Sequence, residues 1–410
     1  MKRFLHAHAT HPDVHGALAL AAAQIEAQRG SGGRAVQPTL GWVYLTDHYA
    51  AKAEALLDEL RQRWPGVAWV GAVGVGISAS GVEYFDEPAL ALMLAELPRE
   101  QFRVYSGVRP LGDFAAHTAL VHADPSSADL PELIAEQSRR TATGYLFGGL
   151  ASARTRTLHI AEQVLQGGLS GVAFGSEIEI VSRVTQGCQP VGPLHQVTAS
   201  ERNLVTTLDG EPALACLLRD LKLADSADPR QALPRLRQTL VGLSDAPEAQ
   251  RKGDGAATPR WRGAFGPDTR VRHLVGLDPA RSAVAVGDMV EPGMQLAFCS
   301  RDTEAARRDL VRICAEIREE VEPEMLTPAS ALALRDGDPG EAGAAGHGIA
   351  GALYVSCTGR GGPHFGAPSA ELAIVKHALG DVPLVGFFAA GEIGHHHLYG
   401  YTGVLTVFRA

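Results

Sequence analysis

Short apolar runs of strand length and longer stretches with helical spacing alternate in the same order at both ends of this chain. That repetition narrows the available folds more than any single residue does. Arg3–Ala7, Gly41–Leu45 and Ala68–Val73 read as strands, and Val14–Gln28 and Ala50–Arg63 between them as helices. Gly74-Val75-Gly76 reads as a turn region and Ala89–Leu97 as a further strand, so the first stretch runs β-α-β-α-β-β. Near the other end Gln295–Cys299 is a predicted strand, and Thr303–Glu319 a helix carrying Leu310, Ile313, Cys314 and Ile317 on one face. Ala352–Ser356 (strand), Ser369–Leu379 (helix), Pro383–Phe388 and Val404–Phe408 (strands) come next.

A looser copy lies between them. Its predicted strands are Ala119–His122, Gly144–Leu150 and Gly171–Ile180, and its predicted helices Leu130–Arg139 and Leu158–Leu165. Strand–helix alternation is general to α/β proteins, but the matching order, with a Gly-rich turn after the same strand, implies duplication. The expected fold is α/β with mixed sheets of the α+β kind, in two related domains built from repeated β-α-β-β units. Ser170–Leu208 is β-branched and turn-rich and predicts a meander, and Glu211–Leu223 predicts a helix opened by Asp209-Gly210. The domains are placed at 1–225 and 226–410, with the boundary near 224–234. Ser244–Gly263 and Arg335–Gly348, rich in Gly, Ala, Pro and charge, read as mobile insertions.

Composition removes several functions. With 37 Lys and Arg against 46 Asp and Glu, the net charge is −9, and no basic stretch interleaved with aromatics compensates. Nucleic acid and anionic membrane surfaces are therefore not expected partners. A membrane-spanning helix needs a run of about 18 apolar residues, which the sequence lacks. The start, Met1 to His6, has no uninterrupted apolar core of the kind a signal peptide requires. The five cysteines, at 188, 216, 299, 314 and 357, are scattered and form no CxxC pair. Reduced thiols and a cytoplasmic location are the simpler expectation.

Candidate chemistry concentrates near the C-terminus. Ser356-Cys357-Thr358-Gly359-Arg360-Gly361-Gly362 comes directly after a predicted strand. Its glycines allow converging backbone N–H groups, and Arg360 offers a planar fork for a carboxylate. The segment is not a P-loop, and no cofactor is expected. Gly386-Phe387-Phe388-Ala389-Ala390-Gly391-Glu392 runs from the end of the next strand. Loops leaving the C-terminal ends of neighbouring parallel strands meet over one crevice. Arg360 would then take a ligand carboxylate and Glu392 its amine, with Cys357, Gly359, Gly361, Phe388 and Gly391 lining the site. The alternative is a salt bridge between Arg360 and Glu392 that only ties the loops.

Cys357 could instead be a nucleophile activated by Arg360 or His364, or simply a small buried residue. His395–His397 reads as a polar surface loop rather than a metal site, because two imidazoles without a third ligand bind weakly. His6-Ala7-His8, with His11 and His15 nearby, resembles the first-strand motif of metal-dependent amidohydrolases, but that barrel is at odds with the β-α-β-β order. Gly187–Gly192 reads as a tight turn with Cys188 packed inward.

Taken together, the segments resemble the FIST family, sensory domains named for F-box and intracellular signal transduction proteins. The N-terminal pattern is Gly144-Tyr145-Leu146-Phe147-Gly148-Gly149, Gly168-Leu169-Ser170-Gly171-Val172-Ala173, Gln186-Gly187-Cys188-Gln189-Pro190-Val191-Gly192, Val197-Thr198, Asn203 and Leu208–Ala213. The C-terminal pattern is Arg301-Asp302, Ser356–Gly361, Pro383–Phe388 and Gly391-Glu392-Ile393-Gly394. The likeness spans roughly residues 35–410.

It implies a non-enzymatic small-ligand sensor in signal transduction, with an amino acid or another small carboxylate as ligand and a signalling protein as partner. The chain shows no kinase motif and no room for an F-box, so the route of output is open. The competing readings are a protein-interaction scaffold and a hydrolase dependent on Cys357.

Overall fold

The computed structural model describes residues 4–30, 36–223, 229–245, 269–321 and 348–410. Two compact units interleave along the chain. One comprises Met1–Thr185, Arg307–Leu398 and Thr402–Ala410, the other Gln186–Ala306 and Tyr399–Tyr401. The expected division into 1–225 and 226–410 runs with the linear order, whereas the compact units do not. Most of both expected insertions, residues 246–263 and 335–347, lies outside the described residues.

The larger unit contains three six-stranded mixed sheets, and one motif occurs in each. A parallel strand pair is joined by a helix, and a third strand lies antiparallel on the free side of the first. In the first sheet the pair is Leu40–Thr46 and Ala68–Gly74, with Ala89–Ala95 antiparallel. In the second it is Thr118–Ala123 and Leu146–Leu150, with Leu169–Phe174 antiparallel. In the third it is Ile349–Cys357 and Leu384–Ala389, with Thr402–Arg409 antiparallel. The connecting helices are Ala53–Arg63, Leu130–Arg139 and Ala370–Leu379. The repetition expected from the sequence is therefore present at the level of this unit. Gln295–Arg301, expected to open the last copy, instead belongs to the eight-stranded sheet of the other unit.

A glycine marks the same place in each copy. Gly71, Gly148 and Gly386 stand on the second strand of the parallel pair, opposite Val43, Val121 and Tyr354. A Cβ there would come within 1.7, 2.0 and 1.8 Å of the facing residue's carbonyl oxygen. No side chain fits, so glycine is what lets the two strands approach.

One expectation failed locally. Leu158–Leu165 is not a helix but two short strands, His159–Ala161 and Val164–Leu165, which extend the first sheet. Ile160 is buried in the same apolar cluster as Val73 and Leu158, so edge pairing overrides the weak helical spacing. The turn at Gly74–Gly76 leads into a hairpin, Gly76–Ala79 and Val82–Phe85, at the edge of the third sheet. The first helix, Val14–Gly30, and Ala53–Arg63 cover the first sheet through Leu18, Ala21, Ile25, Leu56 and Leu60. Aromatic rings fill the core: Phe408 packs on Phe4, Trp42 and Phe174, and Tyr44 stacks on Phe387 at 5.2 Å.

The smaller unit is built on the eight-stranded sheet with the helix Ala213–Asp220 against it. There the buried His195 ring is bracketed, with Nδ1 at 2.7 Å from Asp209 and Nε2 at 2.8 Å from Asp220. No helix among the described residues is long and apolar enough to cross a membrane.

The close strand approach makes a prediction. Gly386→Ala is expected to lower stability by about 3 kcal/mol through overpacking, whereas Gly107→Ala, whose Cβ would meet nothing within 4 Å, should be neutral. Urea midpoints of the two variants check this, and equal midpoints would contradict it.

Candidate functional site

The parallel pair of the third sheet ends at the register pair Cys357 and Ala389. Two chain segments leave together at that point, and the Thr358 N–H donates to the Ala389 carbonyl at 2.9 Å. Cys357, Gly359, Arg360 and Gly361 stand on one segment, with Phe388, Gly391 and Glu392 on or after the other strand. The two segments expected to meet therefore lie side by side. Their surroundings differ from those expected. Glu392 opens a short strand, Glu392–His395, paired with Leu146–Leu150, and is not in a loop. His395 ends that strand and His397 opens the next, His397–Tyr399, with His396 exposed in the turn between them.

Arg360 is buried, at 2% exposure, and its Nε donates to Glu371 Oε1 at 2.8 Å. The ion pair that Arg360 makes is with Glu371, not the alternative tie to Glu392. Glu371 is fully buried at the start of the helix Ala370–Leu379, and also accepts from the hydroxyls of Tyr354 at 2.6 Å and Ser356 at 2.9 Å. The guanidinium lies over the Phe365 ring at 5.2 Å. Burial works against its charge, but Glu371 beside it, with Tyr354 second, more than offsets this and holds the arginine charged.

Glu392 is fully buried as well. Its Oε2 accepts from the Thr402 N–H at 3.1 Å and the Thr402 hydroxyl at 2.7 Å. Its Oε1 has no hydrogen bond of ordinary geometry among the described residues, although the Cys357 thiol is close enough to favour the charged form. Burial dominates over Thr402, Arg360 and Cys357 and pushes the carboxyl up to about 8. Burial thus favours the protonated form of Glu392 over the anion that a ligand amine would need.

A third acid, Glu83, arrives from the edge strand Val82–Phe85. Its Oε1 accepts from the Leu372 N–H at 3.2 Å. Burial, with the Glu371 charge second, raises it to about 7 against the lowering effect of the Leu372, Gly362 and Glu371 amides. Phe85 covers the glycine segment: its ring packs on Phe388 at 4.2 Å, and a Cβ on Gly361, whose φ is +48°, would meet Phe85 at 2.6 Å.

Glu83, Glu371, Tyr354 and Thr402 were not singled out from the sequence. Only Glu371 left a readable signal, since it stands four and eight residues before the buried Val375 and Leu379 and so lies on the apolar stripe of its helix. The histidines of the amidohydrolase alternative have separate partners: His8 meets Tyr84, His15 meets Glu59, and His122 meets Tyr44.

Comparison with known proteins shows the family of the chain. The FIST N domain matches residues 39–211 and the FIST C domain residues 213–395. The chain belongs to the FIST family. FIST domains are associated with sensing in signal transduction. The chain is also similar over nearly its whole length to uncharacterized proteins of two mycobacteria. One of Mycobacterium tuberculosis (strain H37Rv) is 32% identical over 417 residues, covering 97% of each chain. One of Mycobacterium bovis is 29% identical over 417 residues, again covering 97% of each. Most of the cluster, including Arg360, Glu371 and Glu392, falls within the FIST C match, and Glu83 within the FIST N match.

The buried acid gives a pH signature. A carboxyl whose folded pKa lies above its unfolded value of 4.5 favours folding fully below that value, and the benefit is lost as pH rises towards about 8. Glu392→Gln is therefore expected to flatten the fall in stability between pH 5 and pH 8. Melting curves for variant and wild type that stay parallel across that range would contradict the assignment.

Proposed function

We propose that this FIST protein is a cytoplasmic sensory module that binds a small carboxylate ligand, an amino acid or a simpler acid, at the Cys357–Gly362 and Gly391–Glu392 segments. Binding then passes to a signalling protein partner. The observation that carries the reading is the gathering of one guanidinium and three carboxyls, Arg360, Glu83, Glu371 and Glu392, around a glycine-rich backbone at the ends of two parallel strands. Acids displaced as far from their ordinary range as Glu83 and Glu392 cluster at functional sites more than in structural cores. The position is also where α/β sheets hold ligands.

The zwitterion scheme needs one change. With Arg360 engaged by Glu371 and Glu392 protonated, the recognised group is the ligand's carboxylate, and its amine contributes little. Acetate and glycine should then stabilise the protein comparably. The test is a thermal-shift titration with amino acids and small acids on wild type and Glu392→Gln. A ligand at ten times its Kd adds about 1.4 kcal/mol of stability, seen as a saturable rise in melting temperature. No rise with any amino acid or acid would remove the proposal.

A further inference from the structure

Glu83 sits 279 positions before Gly362 in sequence, yet its carboxyl lies beside Gly362, at the end of the glycine segment that was expected to hold a ligand. The Leu372 N–H, in the first turn of the ten-residue helix Ala370–Leu379, donates to Oε1 at 3.2 Å. The amides of Gly362 and Glu371 also act on the carboxylate. A Cβ on Gly362 would lie 3.2 Å from Oε2, so glycine there leaves room for a carboxylate. Oε2 itself has no hydrogen-bond partner among the described residues, although Glu83 is only 8% exposed. The helix cap, Ser369, turns its Oγ to accept the Glu83 backbone N–H at 3.0 Å.

Resting on the ligand-binding reading, we infer that Glu83 is a tethered stand-in for the ligand: its carboxylate occupies the cradle of Gly362 and Leu372 N–H groups, and the ligand carboxylate displaces it. The chain supplies the means for exchange. Val82–Phe85 is the edge strand of its sheet and, among the described residues, pairs only with Gly76–Ala79. Gly81 and Asp86, on either side of it, have φ of +89° and +55°. Glu83 is also a poor occupant, because its strand holds the carboxyl where Oε2 finds no hydrogen-bond partner among the described residues. A free carboxylate that reaches the same amides without the strand's constraints replaces a less favourable contact. Departure of Glu83 also lifts Phe85 from Phe388 and Gly361, which changes the surface at this edge and so couples occupancy to shape.

The experiment is hydrogen exchange of the wild-type protein with and without saturating acetate, and with glycine, joined to acetate titrations of Glu83→Ala and Glu83→Gln. Acetate is expected to speed exchange of the amides of residues 82–85 in the wild type. Removing a competitor that fills the cradle about nine-tenths of the time should tighten acetate binding by about tenfold in Glu83→Ala, and by less in Glu83→Gln, whose amide oxygen still reaches Leu372. If acetate or glycine binds the wild type while exchange at 82–85 stays unchanged and neither variant binds more tightly, the displacement is wrong and the ligand site stands. If neither ligand binds wild type or either variant, both fall together.

Discussion

The ion pair between Arg360 and Glu371 is the interaction on which the rest of the candidate site depends. Both groups are out of water, and removing two charges from water is repaid only when geometry is good and the remaining polar atoms are satisfied. Tyr354 and Ser356 supply that satisfaction on the Glu371 side. The pair ties the glycine segment to the helix Ala370–Leu379, which puts the Gly362 and Leu372 amides beside Glu83. It also uses the one cation the cluster contains among the described residues. Glu392 and Glu83 are left to burial, which is why both shift towards neutral pH while Arg360 stays charged.

The three copies of the helix-linked parallel pair share a glycine at the same strand position but differ in the residue just past the first strand. After Leu40–Thr46 comes Asp47, whose largely buried carboxylate pairs with the half-exposed Arg154. After Thr118–Ala123 comes Asp124, whose carboxylate accepts from Ser126, Thr157 and the Gly167 N–H. In both copies an aspartate ties neighbouring loops and finds full partnership. The third copy has Thr358 there, and its charges arrive instead from Arg360 and from other elements. One unit thus recurs twice with an aspartate that ties loops and once as the setting of the candidate site.

Much of the scaffold could be read from the sequence, because strand length, helical spacing and Gly-rich punctuation are local properties. Leu310, Ile313, Cys314 and Ile317 all face inward on the helix Thr303–Val321, as their spacing indicates. The strand at His159–Ala161 was missed because its pairing with Ala68–Gly74 is decided across a gap of many residues. The same limit applies to the site. Arg360 and Glu392 stand out beside glycines, and the strand order brings their segments together. Glu371 hides in a helix face, and Glu83 belongs to an edge hairpin whose sequence looks like a turn. Which acid an arginine chooses is settled by tertiary register, which no window of sequence contains.

A double-mutant cycle on Arg360 and Glu371 tests the central pairing most directly. Removing either partner alone leaves the other charge buried and should lower stability by about 3–5 kcal/mol. If the pair is the keystone, Arg360→Met combined with Glu371→Leu loses no more than either single change. Losses that simply add would mean that the two groups act independently, and the account of this site would be wrong.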